Sequence, residues 1–477
     1  MQVDLLIEGG IVLTMDPQRR IIKDGAVAIQ GNQITEVGKR DALRKKYPSP
    51  KRVIDSQNKL VMPGLVNTHG HLCCSTAKGL IVGNYGYGNP WLQRTNDMLA
   101  SPYWNEESWY QAALLTSAEL IKNGTTSIVD CGTFRGAEEA AIEAVTISGL
   151  RAALGLELMD IFKKPGYWIP PERRKAFGST RDNVKRVEDM IKKYHRSAGG
   201  RVNIWACLMQ VMNSSDDLCK AVKNLVDRYE TGVTVHSNVM RPMTEVVRQA
   251  WGMRDAERLA KLGVLDRNCL LAHSGDLNGD EVMLIKENRA SIAHCIYTSM
   301  NLAYGTALFS NFAGWLQMGI NIGLGTDAQI CCNHMDMFRA MAATFLVHKE
   351  GKFDCNLWPP QTVLEMATLN GAKAMLLEKE IGSLEAGKKA DILLIDLMRP
   401  EWIPWHKYNL IENLILSATG DCVDTSIIDG KVVMEGREIK TFDEKEVLEK
   451  AQQSVGELLE TLDFLGEPYP EKLPPLW

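Results

Sequence analysis

Short runs of β-forming residues recur along the middle of the chain, and each run ends in a side chain that can bind a metal ion. These side chains are His69 and His71 on the first run, then His236, His273 and Asp327. Polar residues at the ends of several different strands, with helical stretches between the strands, are typical of the carboxyl-terminal rim of a parallel β/α barrel. The sequence therefore predicts an α/β fold built on a (β/α)8 barrel.

The two ends of the 477-residue chain differ from its middle. Residues 1–60 contain short β-rich runs separated by turns, and a similar pattern returns over 376–440. We expect these segments to form one small β-sandwich domain beside a barrel of residues 61–375, followed by a helical tail at 441–477. Eight barrel strands are predicted, around His69 and Val129 and over 151–157, 202–209, 232–236, 269–273, 290–294 and 320–327.

Composition narrows the classes of partner. The formal net charge is only −5 and no block of Lys or Arg occurs, which argues against nucleic acid and membrane surfaces as partners and favours a small-molecule substrate. No stretch of about 18 apolar residues is long enough to span a membrane. The 11 cysteines form no CxxC pair and the first residues lack a secretory signal, so we expect a cytoplasmic protein.

The candidate ligands predict a mononuclear metal site. His69 and His71 flank a glycine in a predicted strand, where side chains two residues apart share a face. With His236 and Asp327 they make a nitrogen-rich, partly anionic set that suits Zn²⁺, with Fe²⁺ as the alternative. Residues 205–209 at the fourth predicted strand contain no lysine that could bridge two ions, which favours one divalent transition metal.

Two of these residues have predicted catalytic roles. A bound divalent ion lowers the pKa of its water towards about 7, and Asp327 is the candidate that accepts the water's proton. His273 is better placed to hydrogen-bond the water or the developing charge than to bind the ion directly.

Further residues are candidates for contact with the substrate. A glycine-rich loop after the first strand carries Tyr85 and Trp91, whose rings suit stacking on a flat ligand. Asn238, Ser299 and His334 follow the fifth, seventh and eighth predicted strands and complete the set.

Three motifs carry a resemblance to a known family. Residues 63–71 (PGLVNTHGH) resemble the PGxxNxHxH motif of the amidohydrolase superfamily, residues 325–327 its GTD motif, and residues 381–391 its IGSLexGKxAD segment. The chain looks most like the branch that holds atrazine chlorohydrolase, triazine hydrolases, guanine deaminase and adenosine-type deaminases. The resemblance implies a homo-oligomer with one Zn²⁺ or Fe²⁺ on the four predicted ligands. It also implies displacement of an amino group, or of chloride, from a nitrogen heterocycle.

One position departs from that pattern. The family has HxxE after the fifth strand, whereas residues 236–239 here are His-Ser-Asn-Val. In the family the glutamate carries a proton to the ring nitrogen and leaving group, a step commonly worth about 10²–10⁴ in rate. Valine cannot transfer a proton, so another group such as Glu245, His334 or Asn238 replaces the glutamate, or the substrate needs no ring protonation, or the reaction is not a deamination.

These observations predict a metal-dependent hydrolase that attacks an sp² carbon of a small nitrogen-containing aromatic substrate, with deamination as the default reaction. The alternatives are dehalogenation, hydrolysis of an amide or amidine, and a non-hydrolytic reaction such as decarboxylation, each of which would make Val239 intelligible. A barrel kept only for binding is disfavoured because all four candidate ligands are present.

Overall fold

Eight parallel strands form a closed barrel in the computed structural model, which describes residues 2–79, 99, 101–164, 167–168, 174–175 and 177–460. Within those residues no helix is both long enough and apolar enough to cross a bilayer. The strands are β1 (Leu5–Leu13), β2 (Ile21–Gln30), β3 (Gln33–Lys39), β4 (Arg52–Asp55), β5 (Lys59–Pro63), β6 (Leu65–Gly70), β7 (Thr125–Thr133), β8 (Arg151–Leu158), β9 (Lys163–Lys164), β10 (Tyr167–Trp168), β11 (Val202–Gln210), β12 (Val233–Ser237), β13 (Cys269–His273), β14 (Ser291–His294), β15 (Asn321–Leu324), β16 (Ile392–Asp396), β17 (Val423–Ile428), β18 (Lys431–Glu435) and β19 (Glu438–Ile439).

Helices cover the outside of the barrel and connect its strands. Their bounds are Arg40–Lys46, Glu106–Lys122, Glu138–Ser148, Thr180–Tyr194, Ser197–Gly200, Asp216–Tyr229, Arg241–Trp251, Asp255–Lys261, Gly279–Asn288, Ile296–Asn301, Thr306–Phe309, Phe312–Gln317, Gln329–Cys332, Met337–Lys352, Pro360–Met366, Leu369–Ala374, Leu410–Leu416 and Glu444–Glu460, with 3-10 turns at Leu72–Ala77, Val211–Asn213 and Gly420–Cys422.

The barrel strands run in the order β6, β7, β8, β11, β12, β13, β14, β15, and each pair of neighbours is parallel. Parallel strands covered on both faces are apolar along their length, and β7 and β8 are buried at every position. The predicted eight-stranded barrel is confirmed.

Side-chain hydrogen bonds close the barrel between its first and last strands. Thr68 Oγ1 donates to Leu324 O at 2.8 Å, and Asp327 N donates to His69 O at 2.9 Å. A side chain at Gly325 would bring its Cβ to 2.7 Å from His69 Cβ, so glycine is required for this close approach. Closure therefore places Asp327 directly beside His69.

The two chain ends form one mixed sheet, in the order β19, β18, β17, β16, β5, β1, β2, β3, with β4 paired to β1. The antiparallel pairing of β5 with β16 joins the amino-terminal strands to the carboxyl-terminal ones. The prediction that both ends contribute to a second β unit is confirmed.

A buried ion pair fastens this sheet to the amino-terminal end of the barrel. Arg151, at the start of β8, is fully buried and donates from Nε to Asp391 Oδ2 at 2.9 Å and from Nη2 to Asp391 Oδ1 at 3.1 Å. Asp429 Oδ1 lies 3.4 Å from the same Nη2. Both aspartates belong to the carboxyl-terminal part of the sheet region, so the pair connects the barrel and the sheet.

The last described helix, Glu444–Glu460, packs against the first barrel helix, Glu106–Lys122, of the same chain. Lys122 Nζ lies 2.7 Å from Glu444 Oε1, and Val447 and Leu458 are buried. The helical start of the predicted tail therefore contacts its own barrel.

Candidate functional site

The first site residues come from the two strands that close the barrel. His69 and His71 lie at the end of β6, with His69 fully buried, and Asp327 follows β15. Asp327 Oδ1 lies 3.3 Å from His69 Nε2 and 3.4 Å from His71 Nε2. Ligand atoms of the three residues all lie within 4.8 Å of one another, which is close enough for one ion to contact them all.

Two more histidines reach the same place from neighbouring strands. His236 lies near the end of β12 and His273 is the last residue of β13. The ring centroids of His69 lie 5.0 Å from His236 and 4.9 Å from His273, and ligand atoms of these three residues also fall within 4.8 Å of one another. The structure thus brings together all five residues at the carboxyl ends of the barrel strands.

Several nitrogens in this cluster lack a partner. Both ring nitrogens of His69, and Nδ1 of His71 and of His273, are buried without a hydrogen bond to any described residue. Buried polar atoms in folded proteins are nearly always paired, so unpaired nitrogens gathered around a carboxylate indicate a missing ligand. The imidazole and carboxylate donors fit a divalent metal ion.

A backbone carbonyl orients the third histidine. His236 Nδ1 donates to Met209 O at 2.6 Å, which places the proton on Nδ1 and leaves the Nε2 lone pair available to an ion. Metal-binding histidines commonly use their second nitrogen in this way. Met209 lies at the end of β11, so the fourth barrel strand supports the site through its backbone.

Charge and burial act in opposite directions on the site residues. Burial works against ionisation of Asp327, but the charge of His69 and hydrogen bonds from His69 and His71 outweigh it and hold the pKa of Asp327 well below its usual value. Burial lowers the pKa of His273 to about 3, so this ring is neutral at physiological pH. An ionised carboxylate therefore lies beside a neutral imidazole, with His273 Nε2 at 3.8 Å from Asp327 Oδ2.

Backbone strain is concentrated where strands end at the site. Asn238, His273, Ser274 and Asp327 have φ angles of +48°, +69°, +53° and +72°, in the left-handed region that favours glycine. Non-glycine residues keep such conformations only when their surroundings over-determine them, and they cluster at functional sites. The turns after the fifth, sixth and eighth strands are therefore held in place by other contacts.

The predicted substrate residues are placed unevenly. Tyr85 and Trp91 lie outside the described residues. Asn238 is buried, and its amide donates to Glu281 Oε1 at 2.8 Å and accepts from Ser237 Oγ at 2.8 Å. Ser299 is buried on the helix Ile296–Asn301 after the seventh strand.

His334 presents a single oriented donor. Its Nδ1 accepts from Asp336 N at 3.1 Å, so the neutral ring carries its proton on Nε2, and burial lowers its pKa to about 4. Nε2 is buried without a partner among the residues that the structure describes, and the ring meets Tyr297 edge to face with centroids 4.2 Å apart. This N–H can serve an acceptor on a ligand.

Glu245 does not fit the role of the missing glutamate. Its side chain is 41% exposed and lies 2.7 Å from Arg248 Nη2. The hydrogen bond from Arg248 lowers the pKa of Glu245 to about 2, so the group is ionised at neutral pH and has no proton to give. Val239 itself is buried.

Sequence reasoning missed a thiol beneath the histidines. Cys131, on β7, lies 3.7 Å from His236 Nδ1 and 3.9 Å from Cys207 Sγ, and it accepts a hydrogen bond from Thr234 Oγ1 at 3.3 Å. The side-chain alternation of β7 and β11 is the only signal that could have found it, because both cysteines face the barrel interior.

Comparisons with known proteins agree with this geometry. The amidohydrolase family model matches residues 60–433, and a bacterial imidazolonepropionase-like composite domain matches residues 25–49. A 5'-deoxyadenosine deaminase of Methanosarcina mazei is 30% identical over 96% of this chain and 98% of its own. A 5-methylthioadenosine/S-adenosylhomocysteine deaminase of Pelotomaculum thermopropionicum is 31% identical over 94% of this chain and 98% of its own.

Solved structures share the fold. A zinc-bound adenosine deaminase of Xanthomonas campestris has a TM-score of 0.85 at 24% identity and covers 96% of this chain and 99% of its own. A zinc complex of atrazine chlorohydrolase of Arthrobacter aurescens has a TM-score of 0.84 at 21% identity, covering 94% and 100%. The chain belongs to the amidohydrolase family, and the predicted metal-dependent hydrolase acting on a carbon–nitrogen bond is confirmed.

Proposed function

We propose that the protein is a mononuclear zinc-dependent deaminase of adenine nucleosides modified at the 5' position. The observation that carries the proposal is the convergence of His69, His71, His236 and Asp327 in a chain that aligns over nearly its full length with 5'-deoxyadenosine and 5-methylthioadenosine/S-adenosylhomocysteine deaminases. The substrate is then a small nucleoside, and the reaction replaces its exocyclic amino group with oxygen from water.

The four ligands divide the work with His273. A zinc ion on His69, His71, His236 and Asp327 would supply a water molecule whose pKa is lowered towards about 7. Asp327 is ionised and can accept the water's proton through a carboxylate oxygen. His273 is neutral and faces that carboxylate, so its ring can hydrogen-bond the attacking oxygen or the charge that develops on it.

His334 and Ser299 are proposed to contact the nucleoside. The unpaired Nε2–H of His334 suits a ring nitrogen or a sugar hydroxyl, because both are hydrogen-bond acceptors. Asn238 is proposed only to shape the pocket, since its amide is already bonded to Glu281 and Ser237. The aromatic residues Tyr85 and Trp91 are proposed to cover the base.

Val239 favours a second candidate function. A departing amine needs a proton, whereas chloride leaves as a stable anion and decarboxylation needs no protonated leaving group. Since valine stands at the position of the family glutamate and Glu245 is ionised on the surface, hydrolytic dehalogenation of a nitrogen heterocycle is the alternative reaction.

A substrate panel distinguishes the two. We would incubate the zinc-loaded protein with 5'-deoxyadenosine, 5-methylthioadenosine, S-adenosylhomocysteine and a chlorinated triazine, and measure ammonia, chloride and metal content. The proposal expects one zinc per chain and ammonia from at least one nucleoside, both lost after chelation and restored by zinc. Chloride without ammonia would favour dehalogenation, and consumption of substrate without either ion would contradict both reactions. Light scattering on the same sample tests the predicted homo-oligomer.

A further inference from the structure

Glu281 is a buried carboxylate that the proposed reaction does not use. It lies in the first turn of the helix Gly279–Asn288, and its exposed fraction is 0%. Four donors surround it: Arg254 Nε at 2.7 Å and Asn278 N at 3.1 Å on Oε2, and Asn238 Nδ2 at 2.8 Å and Ala256 N at 3.1 Å on Oε1. Each oxygen therefore has two partners.

The network reaches the turns after both neighbouring barrel strands. Asn238 follows His236 by two residues, and Asp276 follows His273 by three. Asp276 N donates to Asn238 O at 2.9 Å, and Arg254 Nη2 lies 3.0 Å from Asp276 Oδ2. Glu281 thus connects the turn after β12 directly, through Asn238, and the turn after β13 through Arg254.

Helix capping explains only half of these contacts. Asn278 and Glu281 form a capping box, in which Glu281 Oε2 accepts from the backbone of Asn278. A capping box needs only this oxygen. The other oxygen, Oε1, is bonded to Asn238 and Ala256, and neither belongs to the helix that Glu281 caps.

The bonded turns are those that hold strained residues. Asn238, His273 and Ser274 all have left-handed φ angles, and Ser274 N donates to Ser237 O at 3.1 Å across the two strands. Because such conformations need support from their surroundings, a buried carboxylate that binds both turns is the available support. Between the turns, the rings of His236 and His273 stack with centroids 5.4 Å apart.

We propose that Glu281 is a positioning residue, which holds the turns after β12 and β13 together and thereby fixes His236 relative to His273. The inference rests on the proposed function in one respect, namely that His236 binds the ion and His273 faces the attacking oxygen. Displacements of about 1 Å at such a pair can lower turnover by about 10²-fold without a change in contacts to the substrate.

The test uses the full-length metal-loaded protein carrying Glu281→Gln. Glutamine also serves in capping boxes, so the helix is retained, while the charge opposite Arg254 is lost. We expect kcat to fall by about 10-fold or more at nearly unchanged KM, since His236 and His273 misalign while the substrate contacts remain. In the cobalt-substituted protein, the visible absorption of the ion should change shape, because His236 is one of its ligands.

Two matched variants separate positioning from folding. Asp280→Asn alters the exposed neighbour on the same helix and should change neither kcat nor the cobalt spectrum. Asp391→Asn removes a carboxylate that is buried and paired with arginine at the opposite end of the barrel, and should lower the melting temperature while leaving both readouts unchanged.

The proposal is overturned if Glu281→Gln lowers the melting temperature as Asp391→Asn does but retains wild-type kcat and cobalt spectrum. Should Glu281→Gln fail to fold, Arg254→Lys keeps the positive charge and removes the two-armed contact, and the same two readouts apply. If the wild-type protein shows no deaminase activity, the proposed function fails, and the cobalt spectrum of the variant still decides whether Glu281 positions His236.

Discussion

The two ends of the barrel both bury polar groups, but they treat them differently. At the amino-terminal end, Nε and Nη2 of Arg151 are bonded to Asp391 and Asp429. At the carboxyl-terminal end, ring nitrogens of His69 and His71 surround Asp327 and lack hydrogen bonds to any part of the chain that the structure describes. Groups satisfied by the protein stabilise the fold, whereas groups left unsatisfied await a ligand, so the contrast separates stability from function.

The largest effect is expected from Asp327→Ala at the unsatisfied end. Removing the only carboxylate of the cluster should release the metal and lower kcat/KM by roughly 10³-fold or more, because the activated water is lost. The melting temperature of the metal-free protein should stay close to that of metal-free wild type, since few protein contacts are lost. Ammonia release, metal analysis and calorimetry measure these quantities. Loss of folding together with activity would show that the carboxyl-terminal end also stabilises the barrel.

The reverse result is expected from Asp391→Asn at the satisfied end. Breaking one partner of a buried ion pair should lower the free energy of unfolding by about 3–5 kcal/mol, because the charge of Arg151 is left uncompensated. Activity per folded molecule should not change. Urea denaturation and initial rates on the same sample provide the two measurements, and a parallel drop in kcat would contradict the separation of the two ends.

His334→Phe tests a donor at the unsatisfied end that is not a metal ligand. Phenylalanine keeps a ring against Tyr297 but removes the unpaired Nε2–H. We expect KM to rise by about 10-fold and metal content to stay the same, since one hydrogen bond to the substrate is lost. His406→Phe, on an exposed loop, is the control. Unchanged KM would remove His334 from the substrate site.

The smallest effect concerns Asp255, which accepts from Asn238 N at 3.1 Å next to the site. Burial, followed by the charge of Glu281, raises the pKa of Asp255 from 3.8 to about 7. The folded protein then binds this proton more tightly than the unfolded chain, so the contribution is complete below about pH 4 and is lost as pH rises through about 7.

Asp255→Asn removes that titration and keeps a side-chain acceptor for Asn238 N. Its melting temperature relative to wild type should therefore rise by a few degrees between pH 4 and pH 8. Thermal unfolding monitored by circular dichroism at both pH values provides the comparison. A difference between variant and wild type that is the same at both pH values would show that Asp255 does not titrate in this range.

The sequence predicted the barrel and the clustering of its ligand candidates because both are carried by local patterns. Each of His69, His236, His273 and Asp327 follows a short β-rich run, and parallel strands of one barrel end at the same rim. The pairing of the two chain ends was predictable for the same reason, as both segments contain short alternating strands. The individual roles of these residues stay predictions.

Other parts of the site were beyond local patterns. The carbonyl of Met209 orients His236, but a backbone acceptor has no signature in the side-chain sequence. Glu281 reads as the glutamate of a capping box, and its contact with Asn238 depends on how a helix packs beside a strand end. Cys131 approaches His236 from a strand that is not adjacent to β12. Such contacts are set by tertiary packing.

The pairing of β5 with β16 has a consequence for synthesis on the ribosome. β5 precedes every barrel strand in the chain, whereas β16 follows them all, so the nascent polypeptide emerges with one edge of β5 unpaired. Unpaired strand edges are prone to association between molecules. Premature termination after β15 would therefore release a product with all candidate metal ligands and a strong tendency to aggregate.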